Sequence, residues 1–202
     1  VAHTGMDAMT HAIEAYVSTA NCNYTDPLAI WAIKMIQRDL VNSYNGDMTA
    51  RDNMHDAQCL AGQAFSNALL GIVHSMAHKT GAIFQDYGAH IIHGAANAMY
   101  LPKVIAFNAK DPVAKKRYAF IADEMKLGGT TDEEKITNLI VYLRGMNDAL
   151  NIPHCIKNYG KDSYPTENGF VPEEVFLERL PEIAKNAIAD ACTGSNPRQP
   201  SQ

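Results

Sequence analysis

The stretch from Leu60 to Ala98 constrains the fold more than any other. It reads Leu-Ala-Gly-Gln-Ala-Phe-Ser-Asn-Ala-Leu-Leu-Gly-Ile-Val-His-Ser-Met-Ala-His-Lys-Thr-Gly-Ala, then a ten-residue link, then His93-Gly-Ala-Ala-Asn-Ala98. A helix of Ala, Gly and Leu has no solvent face, because an exposed helix would carry Lys and Glu there. Such a segment belongs inside the protein. Yet it holds four of the eight histidines: His74, His78, His90 and His93. Imidazoles spaced four apart in this setting read as groups aimed into a pocket.

The rest of the chain is organised to surround that segment with helices. No region shows the period-two alternation and β-branched enrichment of strands. Asp7 to Ser18 reads as a first helix. Asp26-Pro27 reads as a cap with a first-turn proline, opening a helix that ends near Asn45-Gly46. Within it Leu28, Ala32, Met35, Ile36 and Leu40 keep helical spacing, so Met35 and Trp31 read as core. Asp47 caps a helix from Met48 to about Leu70. Gly71 and Gly81 bracket the helix of His74 and His78. A short apolar helix, Ala95 to Phe107, is expected to be interrupted by Pro102. Asp111-Pro112 starts the next, with Tyr118, Ile121, Ala122 and Met125 inward. Thr131 with Glu134 forms a capping box for a helix to Leu150. Val171-Pro172 opens a last helix to about Ala191, kinked or split at Pro181. The expected fold is all-α, a multi-helix bundle.

Bulk composition narrows the function. The 202 residues suffice for one domain with a substantial core, and 47% hydrophobic with 19% charged residues describes an ordinary globular protein. The net charge of −5, with scattered basic residues, speaks against nucleic acid or an anionic membrane as partner. No apolar run approaches a membrane span and no signal peptide is visible. Cys22, Cys59, Cys155 and Cys192 form no Cys-x-x-Cys pair, which excludes a zinc ribbon and suggests a reducing, cytoplasmic setting. The start Val-Ala-His and the loop-like end Asn196–Gln202 read as the edges of a piece of a larger protein.

Two short groups complement the histidines. Asp7 and His11 stand one helical turn apart in Thr4-Gly-Met-Asp-Ala-Met-Thr-His-Ala-Ile-Glu-Ala-Tyr16. Alone, such a pair is as well explained by a cap and a core histidine. Together with His74/His78 and His93 it is raw material for a divalent-metal site, since each buried imidazole would otherwise need its own partner at about 1–3 kcal/mol. These ligands suit Fe(II), Zn(II), Co(II), Ni(II) or Mn(II) and are poor for Ca(II). Spacing alone would assign both His74 and His78 as ligands. Glu14, one further turn along, reads equally as a hydrogen-bonding partner of a ligand or as a solvent-facing residue. His55-Asp56 matches the adjacent pair of helical metal-dependent phosphohydrolases, but its polar surroundings favour a solvated helix face.

Four stretches resemble the iron-containing (group III) alcohol dehydrogenases: Thr4–Tyr16, Leu60–Ala68, His74-Ser-Met-Ala-His78-Lys79 and His93–Ala98. The ending Ala191-Cys-Thr-Gly-Ser-Asn-Pro-Arg198 is similar to the family's aldehyde–alcohol dehydrogenase and butanol-dehydrogenase-like branch. The resemblance covers nearly the whole chain. It implies the helical, dehydroquinate synthase-like C-terminal domain, residues 1–202, of a two-domain enzyme whose NAD(P)-binding domain is absent here. It also implies Asp7, His11, His74 and His93 as ligands of Fe(II), with Zn(II) able to take the site on purification. His78 becomes a proton-relay group rather than a ligand, and Phe65 lines the cleft near the nicotinamide. Small primary alcohols or aldehydes are the implied substrates, and a homo-oligomer the expected full-length state. The isolated piece is expected to be inactive. The link Phe84–His93 departs from the pattern: it is longer by about five residues, lacks the usual Pro-His-Gly proline and introduces His90 as a rival to His93. Glycerol-dehydrogenase-like and dehydroquinate-synthase-like enzymes of the same superfamily are the alternatives, with the His55-Asp56 phosphohydrolase from another class.

Overall fold

A computed structural model describes residues 1–81, 83–161 and 170–201. Among them are eight α-helices and no strand: α1 (Ala2–Val17), α2 (Thr25–Tyr44), α3 (Met48–Ala68), α4 (Ile72–Thr80), α5 (His93–Asn108), α6 (Pro112–Glu124), α7 (Asp132–Ala149) and α8 (Glu173–Ile188). Short 3-10 turns occupy Gln85–Tyr87, Ile156–Asn158 and Ala191–Ser195. The all-α expectation holds. Among the described residues no helix is long and apolar enough to cross a membrane.

The central element is α1, which packs against α2, α3, α5 and α6. Its Met6, Met9, Ala12 and Ile13 are fully buried, as the apolar residues of a helix enclosed by its neighbours have to be. Small residues let its neighbours approach. Gly5 faces Leu40 of α2, and Gly94 of α5 lies on the His3 carbonyl of α1, so a Cβ at either position would overlap its neighbour.

Helix starts follow local chemistry. Asp47 accepts the Ala50 N–H at 3.0 Å, and Asp111 accepts those of Val113 and Ala114 at 3.0 and 2.9 Å. Each satisfies amides that a helix start leaves without partners. Thr131 and Glu134 form the reciprocal capping box.

Several expectations need correction. Asp26 does not cap α2, which begins one residue earlier; its carboxylate binds Arg117 at 2.6 Å instead. Met35 is buried but Trp31 is 54% exposed. Ala29, Ile33, Ile36 and Leu40 define the inward face of α2, and Trp31 falls on the opposite side. Pro102 does not interrupt α5. It leaves the Ala98 carbonyl without its usual amide donor, and the Asn147 side chain of α7 fills the gap with an N–H at 2.9 Å. Pro181 likewise does not split α8.

The joint between α3 and α4 sets up the site. Leu69 there has φ 65° and ψ −174°, a region that side-chain-bearing residues rarely enter. Hydroxyls on both sides hold it: Ser18 donates to the Ala68 carbonyl and Ser195 to that of Leu70.

Candidate metal centre

Three helices each bring a donor to one point. Asp7 comes from the second turn of α1, His74 from the first turn of α4, and His93 opens α5. One ligand atom from each lies within 4.8 Å of the others. His74 Nε2 is 3.5 Å and His93 Nε2 3.3 Å from Asp7 Oδ1. The amide nitrogen of Asn97, one turn beyond His93, sits among them. It lies 2.6 Å from Asp7 Oδ1, 3.2 Å from His74 Nε2 and 3.1 Å from His93 Nε2. An amide offers two hydrogens, too few to satisfy all three atoms. Asn97 Oδ1, meanwhile, is buried without a partner. One carboxylate and two imidazoles converging on one point are a donor set that fits a divalent cation once the rings give up their inward protons.

His11 stands beside this triad. Its ring is stacked between Phe65, at 4.3 Å between centroids, and His74, at 4.4 Å. Its Nδ1 is 3.9 Å from the second oxygen of Asp7. Phe65, half-buried on α3, thus forms the wall of the group.

Glu14 is buried and belongs to the centre, which settles the choice the sequence left open. Its Oε1 accepts the Val73 N–H at 2.8 Å and its Oε2 lies 2.7 Å from His74 Nδ1. One carboxylate therefore satisfies a start-of-helix amide of α4 and turns the His74 ring so that Nε2 faces Asp7. Gly71 makes room for it: a Cβ there would come within 2.8 Å of Glu14 Oε1 and 2.7 Å of Asn196 Oδ1.

The charges are strongly coupled. Burial alone would raise the Asp7 carboxyl, but hydrogen bonds from His74 and His93 and the nearby His11 hold it far below the usual carboxylate range. Burial, followed by the charge of His74, pushes His11 down to about 4. Burial acts the same way on His74, but Asp7 and Glu14 outweigh it and raise this imidazole. His74 therefore holds the proton that an incoming cation would displace.

His78 points elsewhere. Its ring stacks on that of His93 at 5.3 Å and 13°, while Nδ1 lies 3.4 Å from Asp190 Oδ2. Its side chain is 39% exposed.

All 202 residues match the model of the Fe-containing alcohol dehydrogenase family, C-terminal. The chain is 54% identical over 198 residues to the NADPH-dependent butanol dehydrogenase of Clostridium saccharobutylicum, covering 98% of this chain and 47% of that protein. The chain belongs to the Fe-containing alcohol dehydrogenase family. The bifunctional aldehyde-alcohol dehydrogenase AdhE of Escherichia coli (strain K12) is 38% identical over 214 residues, covering 97% of this chain and 22% of that one. Among solved structures, the iron-containing alcohol dehydrogenase of Thermococcus thioreducens superposes with a TM-score of 0.81 at 35% identity, covering 100% of this chain and 47% of the other. A 1,3-propanediol oxidoreductase superposes at 0.84 with 33% identity, covering 99% and 48%. The chain thus spans about half the length of the butanol dehydrogenase and of these two structures.

In this member of the iron-containing dehydrogenase family, His90 is exposed and lies outside the donor group that contains His93. His55 and Asp56 are exposed on α3 and join no donor group among the described residues, which leaves the phosphohydrolase alternative without a site. Sequence reasoning missed Asn97, whose signal was a polar residue one turn after His93 in an apolar helix. It also missed Asp190, which meets His78 across 112 positions and carries no local signal.

Proposed function

We propose that this chain is the metal-holding helical domain of an NAD(P)-dependent alcohol dehydrogenase, working with a dinucleotide-binding domain. The observation that carries this reading is the meeting of Asp7, His74 and His93, with His11 alongside, around the Asn97 amide. Asp7, His11, His74 and His93 would hold one divalent ion, Fe(II) in the working enzyme and replaceable by Zn(II). When bound, the ion supplies Lewis acidity toward an alcohol or aldehyde oxygen.

The remaining work falls to the chain's own side chains. His78 is accessible beside the centre, and the carboxylate of Asp190 faces its Nδ1. An imidazole so placed can carry the hydroxyl proton between substrate and solvent. Phe65, backed by His11, gives an apolar wall for the nicotinamide ring, and the reaction needs the substrate carbon held against C4 of that ring for hydride transfer. Small primary alcohols or aldehydes are the proposed substrates, in keeping with the similarity to a butanol dehydrogenase and a 1,3-propanediol oxidoreductase.

Metal analysis of the purified chain, with anomalous scattering to locate the ion, tests the reading. One Fe or Zn at Asp7, His11, His74 and His93 is expected, lost in Asp7→Ala. An ion at His55-Asp56, or none after loading with either metal, overturns it. The chain alone is expected not to turn over primary alcohols with NAD or NADP.

A further inference from the structure

A second group of unlike donors lies beside the first. Asp190 caps the 3-10 turn Ala191–Ser195, its Oδ1 accepting the Cys192 N–H at 3.0 Å. Its Oδ2 lies 3.4 Å from His78 Nδ1 and 2.8 Å from the Lys79 ammonium. The Cys192 thiol lies beside this carboxylate. One donor atom each from His78, Asp190 and Cys192 lies within 4.8 Å of the other two. The turn is fixed to α4, the helix that carries His78: Thr193 Oγ1 donates at 2.8 Å to Ser75 Oγ, and the same hydroxyl lies 2.7 Å from the Ala187 carbonyl. The three donors are therefore held together by the fold, and the exposure of His78 leaves them reachable from solvent.

We propose that His78, Asp190 and Cys192 form a second cation site, separate from the Asp7/His74/His93 centre, that takes one thiophilic divalent ion such as Zn(II). One imidazole, one carboxylate and one thiolate are ligands that zinc accepts, and three protein ligands with an open fourth position suit an exchangeable ion. Binding is a ligand exchange without redox change. The Cys192 S–H bond breaks, its proton leaves to solvent, the metal–sulfur bond forms, and the Lys79 ammonium releases Asp190 Oδ2. The ion therefore competes with the Lys79 ammonium for this carboxylate. Burial first, then the Asp190 charge, pushes the Cys192 thiol up to about 12, so it stays protonated until an ion draws out the thiolate. If His78 relays protons as proposed above, an ion here removes the relay, and excess zinc inhibits; that consequence alone rests on the dehydrogenase reading.

Cobalt separates the two sites, because the first offers only nitrogen and oxygen. Titrating the metal-free chain with CoCl2 is expected to show two equivalents, one of them with a thiolate-to-cobalt charge-transfer band in the near ultraviolet. Cys192→Ser should abolish the band and reduce the count to one, with zinc affinity at this site falling more than about tenfold. His74→Ala should remove the other equivalent and keep the band, so failure of the first site and failure of the second are read separately. Should Cys192→Ser fold poorly by circular dichroism, His78→Ala is expected to weaken the band in the same sense. A single equivalent in the wild type, no charge-transfer band, or a band that survives Cys192→Ser overturns the proposal.

Discussion

The two donor clusters share helix α4 and touch through the stacked rings of His78 and His93, yet their surroundings are opposite. His74 is 1% exposed and backed by an equally buried glutamate; His78, one turn later, is 39% exposed and faces an aspartate already engaged by a lysine. In the first cluster the carboxylate acts through the ring, fixing which nitrogen faces inward. In the second it sits beside a thiol, at the edge of solvent. The difference teaches that four-residue spacing makes two histidines neighbours without giving them a common task. What decides the task is which carboxylate each ring meets, and both carboxylates come from distant parts of the chain.

The largest expected effect falls on one cluster alone. Gly94→Ala puts a Cβ into the His3 carbonyl, which is backbone and cannot swing aside. α1 and α5 would have to separate, and they carry Asp7 and His93. The expected loss is about 3 kcal/mol of stability, at the upper end of ordinary overpacking, together with metal binding at the first cluster. Chemical denaturation and metal titration read the two losses. The second cluster lies on α4 and the 191–195 turn, so its cobalt–thiolate band should persist in whatever fraction stays folded. Loss of that band with the first site intact would mean the clusters are not built independently.

Glu14→Gln sharpens the contrast further. The amide keeps the shape and can still accept one hydrogen bond, but it loses the charge that holds His74. Metal affinity at the first cluster should fall about 10- to 100-fold, the usual loss for an outer hydrogen-bonding partner, with the cobalt–thiolate band unchanged. Chelator competition measures it. Glu14→Ala should differ by also lowering stability, because the Val73 amide and His74 Nδ1 would lose their partner at about 1–3 kcal/mol each. Equal affinity in wild type and Glu14→Gln would show that ring orientation is fixed by packing alone.

These pairs also mark how far the sequence could be read. The caps at Asp47, Asp111 and Thr131/Glu134 were legible because donor and acceptor lie within a turn of each other. The shared face of Asp7 and His11 on α1 was legible for the same reason, since the two stand one helical turn apart. Glu14's own role was not, since its partner is 60 positions away. Asp190 meets His78 across 112 positions and Asn97 meets Asp7 across 90; no local pattern encodes either. Trp31 failed for another reason. Hydrophobicity suggested burial, whereas its angular position on α2 decided exposure.

Protons offer a quieter comparison. The His74 imidazole is raised from its ordinary 6.5 to about 9, with the carboxylates of Asp7 and Glu14 outweighing burial. Its charge therefore contributes stability in full below about pH 6.5, and that contribution is lost as pH rises through about 9. Metal binding runs the other way. At pH 7 an ion entering the first cluster must displace close to one proton from His74, so apparent affinity should climb with pH and level off above about 9. Calorimetry in buffers of different ionisation enthalpy measures that proton. At the second cluster the released proton should come from Cys192 instead, and Cys192→Ser should remove it. Proton release at the first cluster that stays constant from pH 7 to 10 would contradict a charged His74.

The smallest effect concerns the joint through which α4 reaches both clusters. Leu69 is strained at φ 65° and is 53% exposed, so little burial repays its backbone conformation. Such a conformation costs about 1–3 kcal/mol, and glycine returns about 0.5–1 kcal/mol of that as chain entropy. Leu69→Gly should therefore stabilise the protein by about 1 kcal/mol, a rise of about 3 °C in Tm for a chain of this size. The Ser18 and Ser195 hydroxyls hold the flanking carbonyls whichever residue stands at 69. Metal affinity at both clusters should accordingly stay within about twofold of wild type. A stabilised variant with weakened binding at both clusters would mean that the strain itself positions α4. A lower Tm would mean that the exposed leucine packs to more effect than its surface suggests.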